Sequence, residues 1–174
     1  QTGSKTTTAM LTDAFIGLGS NLEAPAAQLA RAVSELAALP DTSLVAQSAF
    51  YASRPVGPQD QPDFVNGAVW LKTSLEPHQL LDQLLSIEQA HGRERLRRWG
   101  PRTLDLDLLL FGDRALDDER LTVPHRELPN RDFALQPLLD LNPGLTLPDG
   151  TPVATLRRQC PDNRLRKLPP ADYP

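Results

Sequence analysis

The order of elements along the chain predicts an α+β fold. Two stretches repeat apolar residues at three-and-four spacing, each opened by a proline, and four others read as strands. Their order is β, α, β, β, α, β, with further pieces at the C-terminal end. That is the split βαβ pattern of a ferredoxin-like βαββαβ sandwich, an antiparallel sheet with helices packed on it, here with C-terminal additions.

Residues 14–17 (AFIG) form the first strand, which breaks into a turn over 17–21 (GLGSN). The turn lacks the third glycine of a dinucleotide fingerprint and the Gly-Lys-Ser/Thr of a P-loop. A tight strand-to-helix turn is therefore the simpler reading, with a phosphate loop as the alternative. Pro25 suits the first position of a helix. After it Ala26, Leu29, Ala30, Val33, Leu36 and Ala37 form an apolar stripe that ends before Pro40. A second strand is expected over 44–51 (LVAQSAFY). The loop that follows, 52–63 (ASRPVGPQDQPD), is long enough to suggest a function.

The third strand, 64–73 (FVNGAVWLKT), puts Phe64, Asn66, Ala68 and Trp70 on one face. Val65, Gly67, Val69 and Leu71 take the other. The Asn66 amide has both a donor and an acceptor, so it can read a heterocycle edge; it can equally satisfy the backbone of the neighbouring loop. Pro77 opens the second helix, whose stripe is Leu80, Leu81, Leu84, Leu85 and Ile87, and Gly92 stops it. Glu88 falls on the core-facing side near the helix end, either a partly exposed edge residue, the commoner case, or one aimed at the site that follows.

The fourth strand is expected over 103–111. Residues 113–119 read as a polar turn region and 120–125 (RLTVPH) as an extended segment broken by Pro124. Asn130 can cap a helix over 131–141, which Pro137 should kink or split. Residues 148–150 (PDG) mark a turn. Residues 1–11 read as a flexible polar leader with Met10 a candidate natural start, 12–160 as a single domain, and 161–174 as a polar tail outside the fold.

Hydrophobic residues at 40% and charged residues at 23% give the balance of a soluble globular domain. The net charge of −4 argues against a general nucleic-acid binder. A single cysteine, Cys160, excludes an internal disulfide framework and a multi-cysteine zinc site. The three histidines, His78, His91 and His125, show no metal-ligand spacing. No apolar run approaches the roughly 20 residues that span a bilayer, and no signal-peptide pattern is visible. No membrane association is expected, and a cytoplasmic location is.

The chemistry concentrates in 93–111 (RERLRRWGPRTLDLDLLLF). Its second half alternates, so Asp105 and Asp107 share one face of a strand while Leu104, Leu106 and Leu108 share the other. Two such carboxylates on an apolar strand repel and resist burial, and they call for a cation or water between them. Its first half gathers Arg93, Arg95, Arg97, Arg98 and Arg102 around Trp99, and guanidinium groups grip phosphate oxygens bidentately. A divalent metal with a polyphosphate is the simplest chemistry that uses both halves. A solvated charged edge and a ferredoxin-like RNA-binding module without catalysis are the alternatives. The RNA module would need exposed aromatics on the central strands.

Five runs occur in order: GSN (19–21), GPQDQPDF (57–64), RWGPRTLDLD (98–107), LTVPH (121–125) and NRDF (130–133). In these the chain resembles the 6-hydroxymethyl-7,8-dihydropterin pyrophosphokinases of folate biosynthesis, over about residues 14–150. The resemblance implies transfer of diphosphate from ATP to the pterin hydroxymethyl group, with release of AMP. It implies that Asp105 and Asp107 hold two Mg²⁺ ions bridging the triphosphate, and that Arg93 and Arg102 clamp the transition state. Around the nucleotide it implies Glu88, Arg95, Trp99, Arg102, Leu108, Arg120, Thr122, His125 and Arg131. Around the pterin it implies Ser53, Val56, Phe64, Asn66, Trp99 and Phe133, with the ring stacked between Phe64 and Phe133. Residues 93–99 match the family's mobile arginine loop. A monomer is expected.

Overall fold

In the computed structural model of the chain, the described residues are 10–21, 24–53, 63–92, 104–162 and 164–169. Strand β1 (Thr12–Ser20) lies in the middle of a sheet, with β4 (Phe64–Thr73) on one side and β5 (Asp105–Phe111) on the other. Beyond β4 come β2 (Thr42–Gln47), β3 (Tyr51–Ser53) and, paired to β3, the short β8 (Arg166–Lys167). The order is β5-β1-β4-β3-β8, with β2 also on β4, and every pairing is antiparallel. A separate two-stranded ribbon joins β6 (Leu116–Asp117) to β7 (Thr122–Val123).

Period-two alternation sorts the strand residues onto two faces. Ala14, Ile16, Leu18, Val69, Leu71, Leu104, Leu106 and Leu108 meet helices α1 (Pro25–Ala37) and α2 (Pro77–Ala90) in one core. Phe15, Ala68, Leu109 and Leu110 meet α3 (Asp132–Leu141) and α4 (Val153–Gln159) in a second core on the opposite face. The sheet is thus covered on both sides. Leu109 and Leu110 both reach the second core because the β1–β5 register shifts at Phe15/Ile16. Phe15 stacks on Trp70, centroids 5.5 Å apart, and the Trp70 indole donates to Asp13 at 2.8 Å.

Proline and glycine act as the sequence predicts at both long helices. Pro25 and Pro77 sit in the first turns of α1 and α2. A capping box, unread in the sequence, adds to α2: the Glu76 backbone N–H donates to the Gln79 side chain at 2.8 Å. Gly92 follows α2 at φ +76, a left-handed conformation that favours glycine. Beside it His91 is buried against α1, with Nδ1 2.7 Å from Gln28 Oε1 and Nε2 2.5 Å from Glu35 Oε1. This pins the end of α2 just before residue 93.

Five expectations change. Strand β1 runs through Ser20, so Gly17 and Gly19 are strand residues, not a turn. The strand expected over 44–51 is two strands, interrupted where Ser48 leaves the ladder. There the Ser48 backbone N–H donates to the Ala68 carbonyl and Ser48 Oγ accepts from the Ala68 N–H, both at 2.9 Å. Helix α3 begins at Asp132 after a 3₁₀ turn (Leu128–Asn130), with Arg131 at the N-cap position in place of Asn130. Pro137 lies inside α3 without splitting it. It removes only the bond to the Phe133 carbonyl, while Ala134, Leu135 and Leu138 stay packed in the second core. Finally, Arg166 and Lys167 extend the sheet, so part of the terminal stretch read as outside the fold belongs to it.

Helix α3 is also tied to β3, where the Tyr51 hydroxyl donates to Asp140 at 2.6 Å. Leu135 is fully buried beneath this contact layer. Leu135→Ala should lower the free energy of unfolding by about 2–5 kcal/mol in urea titration, with the slope unchanged.

Candidate active site

Helix α3 covers only part of the second face. Where it stops, the strand residues change character. Phe15, Ala68 and Trp70 belong to the covered part; Gly17, Gly19, Asn66, Asp105 and Asp107 line a cleft of about 480 Å³. The opposite wall comes from Glu127, Asn130, Arg131, Phe133 and Ala134, and the remaining rim from Ser53 and Phe64.

Asp105 and Asp107 project from β5 into the cleft together, as the alternation requires. Asp107 lies 3.9 Å from His125 Nε2 through one oxygen and 3.9 Å from Arg131 Nη1 through the other. The Glu127 backbone N–H donates to His125 Nδ1 at 3.2 Å, so that nitrogen is the acceptor and Nε2–H turns toward Asp107. The His125 backbone N–H donates to the Leu109 carbonyl, fastening this segment to β5. Arg131 also stands over the Phe133 ring, 5.8 Å from its centroid. The carboxylate end is therefore bordered by two nitrogen groups and an aromatic face.

At the other end Asn66 is almost fully buried, and its Nδ2 donates to Ser53 Oγ at 2.8 Å. This partner is a side chain of adjacent β3. A Cβ at Gly19 would stand 2.9 Å from Asn66 Oδ1, so the amide lies directly against that glycine. Glycine is what permits the amide to occupy the cleft floor.

Seven of the expected residues meet in this cleft: Ser53, Phe64, Asn66, Asp105, Asp107, Arg131 and Phe133. His125 borders it through Asp107. Four do not line it. Glu88 is buried, and its carboxylate accepts the Leu106 N–H at 2.7 Å. The Leu108 side chain lies in the α1/α2 core, because its position is odd to the two aspartates on the strand. Arg120 pairs with Asp82 at 2.6 Å. Thr122 Oγ1 donates to Asp117 at 3.1 Å. Beside Arg120, Asp118 holds the turn by accepting the Arg120 and Leu121 N–H groups, and the Arg120 bond chiefly keeps its carboxyl below the usual range. Val56, Arg93, Arg95, Trp99 and Arg102 lie outside the described residues.

Sequence reasoning missed Gly17, Gly19, Leu109, Glu127, Asn130 and Ala134 as cleft residues. For the two glycines a signal existed. They are two apart, and period two extends them from Phe15 along one face.

Among the described residues no group of three or more His, Cys, Asp and Glu side chains converges as a complete metal cage, and no helix is long and apolar enough to cross a membrane. A cleft that combines paired carboxylates, aromatic rings and a buried amide suits a charged, partly planar small molecule. The model of the 7,8-dihydro-6-hydroxymethylpterin-pyrophosphokinase (HPPK) family matches residues 15–143, and the chain belongs to that family. It is 50% identical over 162 residues to the 2-amino-4-hydroxy-6-hydroxymethyldihydropteridine pyrophosphokinase of Pseudomonas aeruginosa, covering 93% of this chain and 100% of that one. It is 48% identical over 157 residues to the Haemophilus influenzae protein of the same name, covering 90% and 98%. In structure it is similar to a Plasmodium falciparum HPPK-DHPS, with a TM-score of 0.68 and 15% identity over 87% of this chain. The chain spans 46% of the length of that larger protein, so this likeness shows the fold alone.

Gly19→Ala should turn the Asn66 amide away from Ser53 and cost about 1–3 kcal/mol. The Asn66 side-chain amide resonances should move. Gly17→Ala, which meets only the flexible end of Leu109, should leave them in place.

Proposed function

We propose that the chain transfers the β,γ-diphosphate of ATP to the hydroxymethyl oxygen of 6-hydroxymethyl-7,8-dihydropterin, giving AMP and the pterin diphosphate used in folate biosynthesis. Membership of the pyrophosphokinase family and near-full-length identity to two such enzymes support the reaction. The observation that carries it is a single cleft with two ends. Asp105 and Asp107 suit a hard cation with phosphate, while Phe64, Phe133, Asn66 and Ser53 suit a planar heterocycle.

Carboxylate oxygens are the donors Mg²⁺ prefers, and two of them without a third protein ligand among the described residues leave positions for phosphate oxygens and water. Two Mg²⁺ ions held by Asp105, Asp107 and the triphosphate would neutralise the phosphates and align attacking and leaving oxygens. The chain's own residues do the rest. Phe64 and Phe133 sandwich the pterin, and the Asn66 amide, held by Ser53, reads its edge; Val56 and Trp99 complete that subsite. Arg131 and His125 border the Asp107 end and fall to the phosphates. Arg93, Arg95 and Arg102 supply further positive charge, with Arg93 and Arg102 as clamps. For Arg120 and Thr122 to meet the nucleotide, their present bonds to Asp82 and Asp117 must exchange.

The pterin hydroxyl oxygen attacks the β-phosphorus, the bond from that phosphorus to the α,β-bridging oxygen breaks, AMP leaves with the electron pair, and the hydroxyl proton is released to water. Positioning and charge neutralisation are the main demands of such a transfer. The antiparallel order β5-β1-β4-β3 supports reading 12–160 as a ferredoxin-like βαββαβ core with additions. A monomeric, cytoplasmic enzyme is part of the same proposal. The RNA-binding alternative finds no support in the family or its relatives. The aromatics it would display, Phe15 and Trp70, are instead stacked together in the second core.

Incubation with ATP, Mg²⁺ and the hydroxymethyl pterin should release AMP; ADP, or no nucleotide product, would sink the proposal. Asp105→Ala and Asp107→Ala should each lower kcat by at least about a hundredfold with the melting curve retained. Full activity in both would refute the metal assignment.

A further inference from the structure

Strand β5 ends the sheet, so one of its edges has no ladder partner among the described residues. On its inner edge Asp105 pairs with Gly19, Leu106 with Leu18 and Asp107 with Gly17 of β1. In an antiparallel pair successive residues point their backbone groups alternately toward and away from the partner. The Leu106 N–H points away, because Glu88 Oε2 accepts it at 2.7 Å. Glu88 is only 4% exposed, near the last turn of α2, in a helix that packs Leu80, Leu84 and Ile87 against the same core as Leu106 and Leu108. An ionised group in such surroundings is costly unless hydrogen-bonded, and a carboxylate accepting a backbone N–H makes one of the stronger bonds available.

Two consequences follow from where that bond lies. It fastens the one residue between the two aspartates, so a slip or twist of β5 that would turn either carboxylate out of the cleft must break it. It also ties β5 to the helix that leads, four residues later, to Gly92 and the arginine-rich segment. Glu88 itself does not line the cleft.

We propose that Glu88 is a positioning residue, whose buried carboxylate locks the Leu106 backbone so that Asp105 and Asp107 present one fixed pair of carboxylates before metal and nucleotide arrive. This rests on the pyrophosphokinase reading for its purpose but not for its test. The expected effect of removing such support is a weakening of metal binding by about tenfold to a hundredfold.

Three variants and two measurements decide it: amide hydrogen exchange at Leu106 by NMR, and Mn²⁺ affinity by electron paramagnetic resonance with a non-hydrolysable ATP analogue. Glu88→Leu should expose the Leu106 amide to exchange and weaken Mn²⁺ binding. Glu88→Gln, which keeps an acceptor oxygen of the same reach, should restore both. Should Glu88→Leu fail to fold, Glu88→Asp keeps the charge but falls one methylene short, and should show both losses. Wild-type exchange and Mn²⁺ affinity in Glu88→Leu or Glu88→Asp would overturn the proposal, as would loss of Leu106 protection in Glu88→Gln. If the wild-type protein makes no AMP, the reaction is wrong, and the exchange and Mn²⁺ results still decide the role of Glu88.

Discussion

The structure depends on the two-sidedness of strand β5. Leu104, Leu106 and Leu108 enter the core beneath α1 and α2, and this burial holds Asp105 and Asp107 on the opposite face. Neither aspartate can turn inward without drawing a leucine outward, so the hydrophobic effect on one side orients charge on the other. The two carboxylates would otherwise relax apart. Their shared direction is a by-product of packing that happens elsewhere.

That device works only because the second face is covered in part. Helices α3 and α4 cover Phe15, Ala68 and Trp70 and stop short of Gly19, Asn66 and Asp105. Along β1 the step from Phe15 to Gly17 and Gly19 marks the change from packing surface to cleft floor. The glycines leave room for the Asn66 amide and the tip of Leu109, which a Cβ would crowd. The Tyr51–Asp140 bond then sets α3 against β3, so that Phe133 and Ser53 border one space.

Two polar side chains at the end of α2 tie it to its neighbours. Glu88 meets the Leu106 backbone, and His91 lies between Gln28 and Glu35. Both are in or next to the last turn of α2, immediately before the arginine-rich stretch. The end of α2 is thus a buried, polar corner beside the carboxylate strand.

Much of this was legible from residue order. Alternation over 64–73 assigned both faces of β4 correctly, prolines marked two helix starts, and the Asp-Leu-Asp pattern announced its own geometry. The five runs led to the family. The Glu88 partner and the break at Ser48 were not legible, because each depends on a partner far along the chain: the Leu106 amide and the Ala68 backbone. Pro137 does not split α3, since helix-breaking propensity is local and the packing that holds the helix is not. By itself the sequence determined which residues share a face, since periodicity is a property of the backbone. Only the tertiary structure decided which faces are sealed and which stay open, because that depends on where the helices stop.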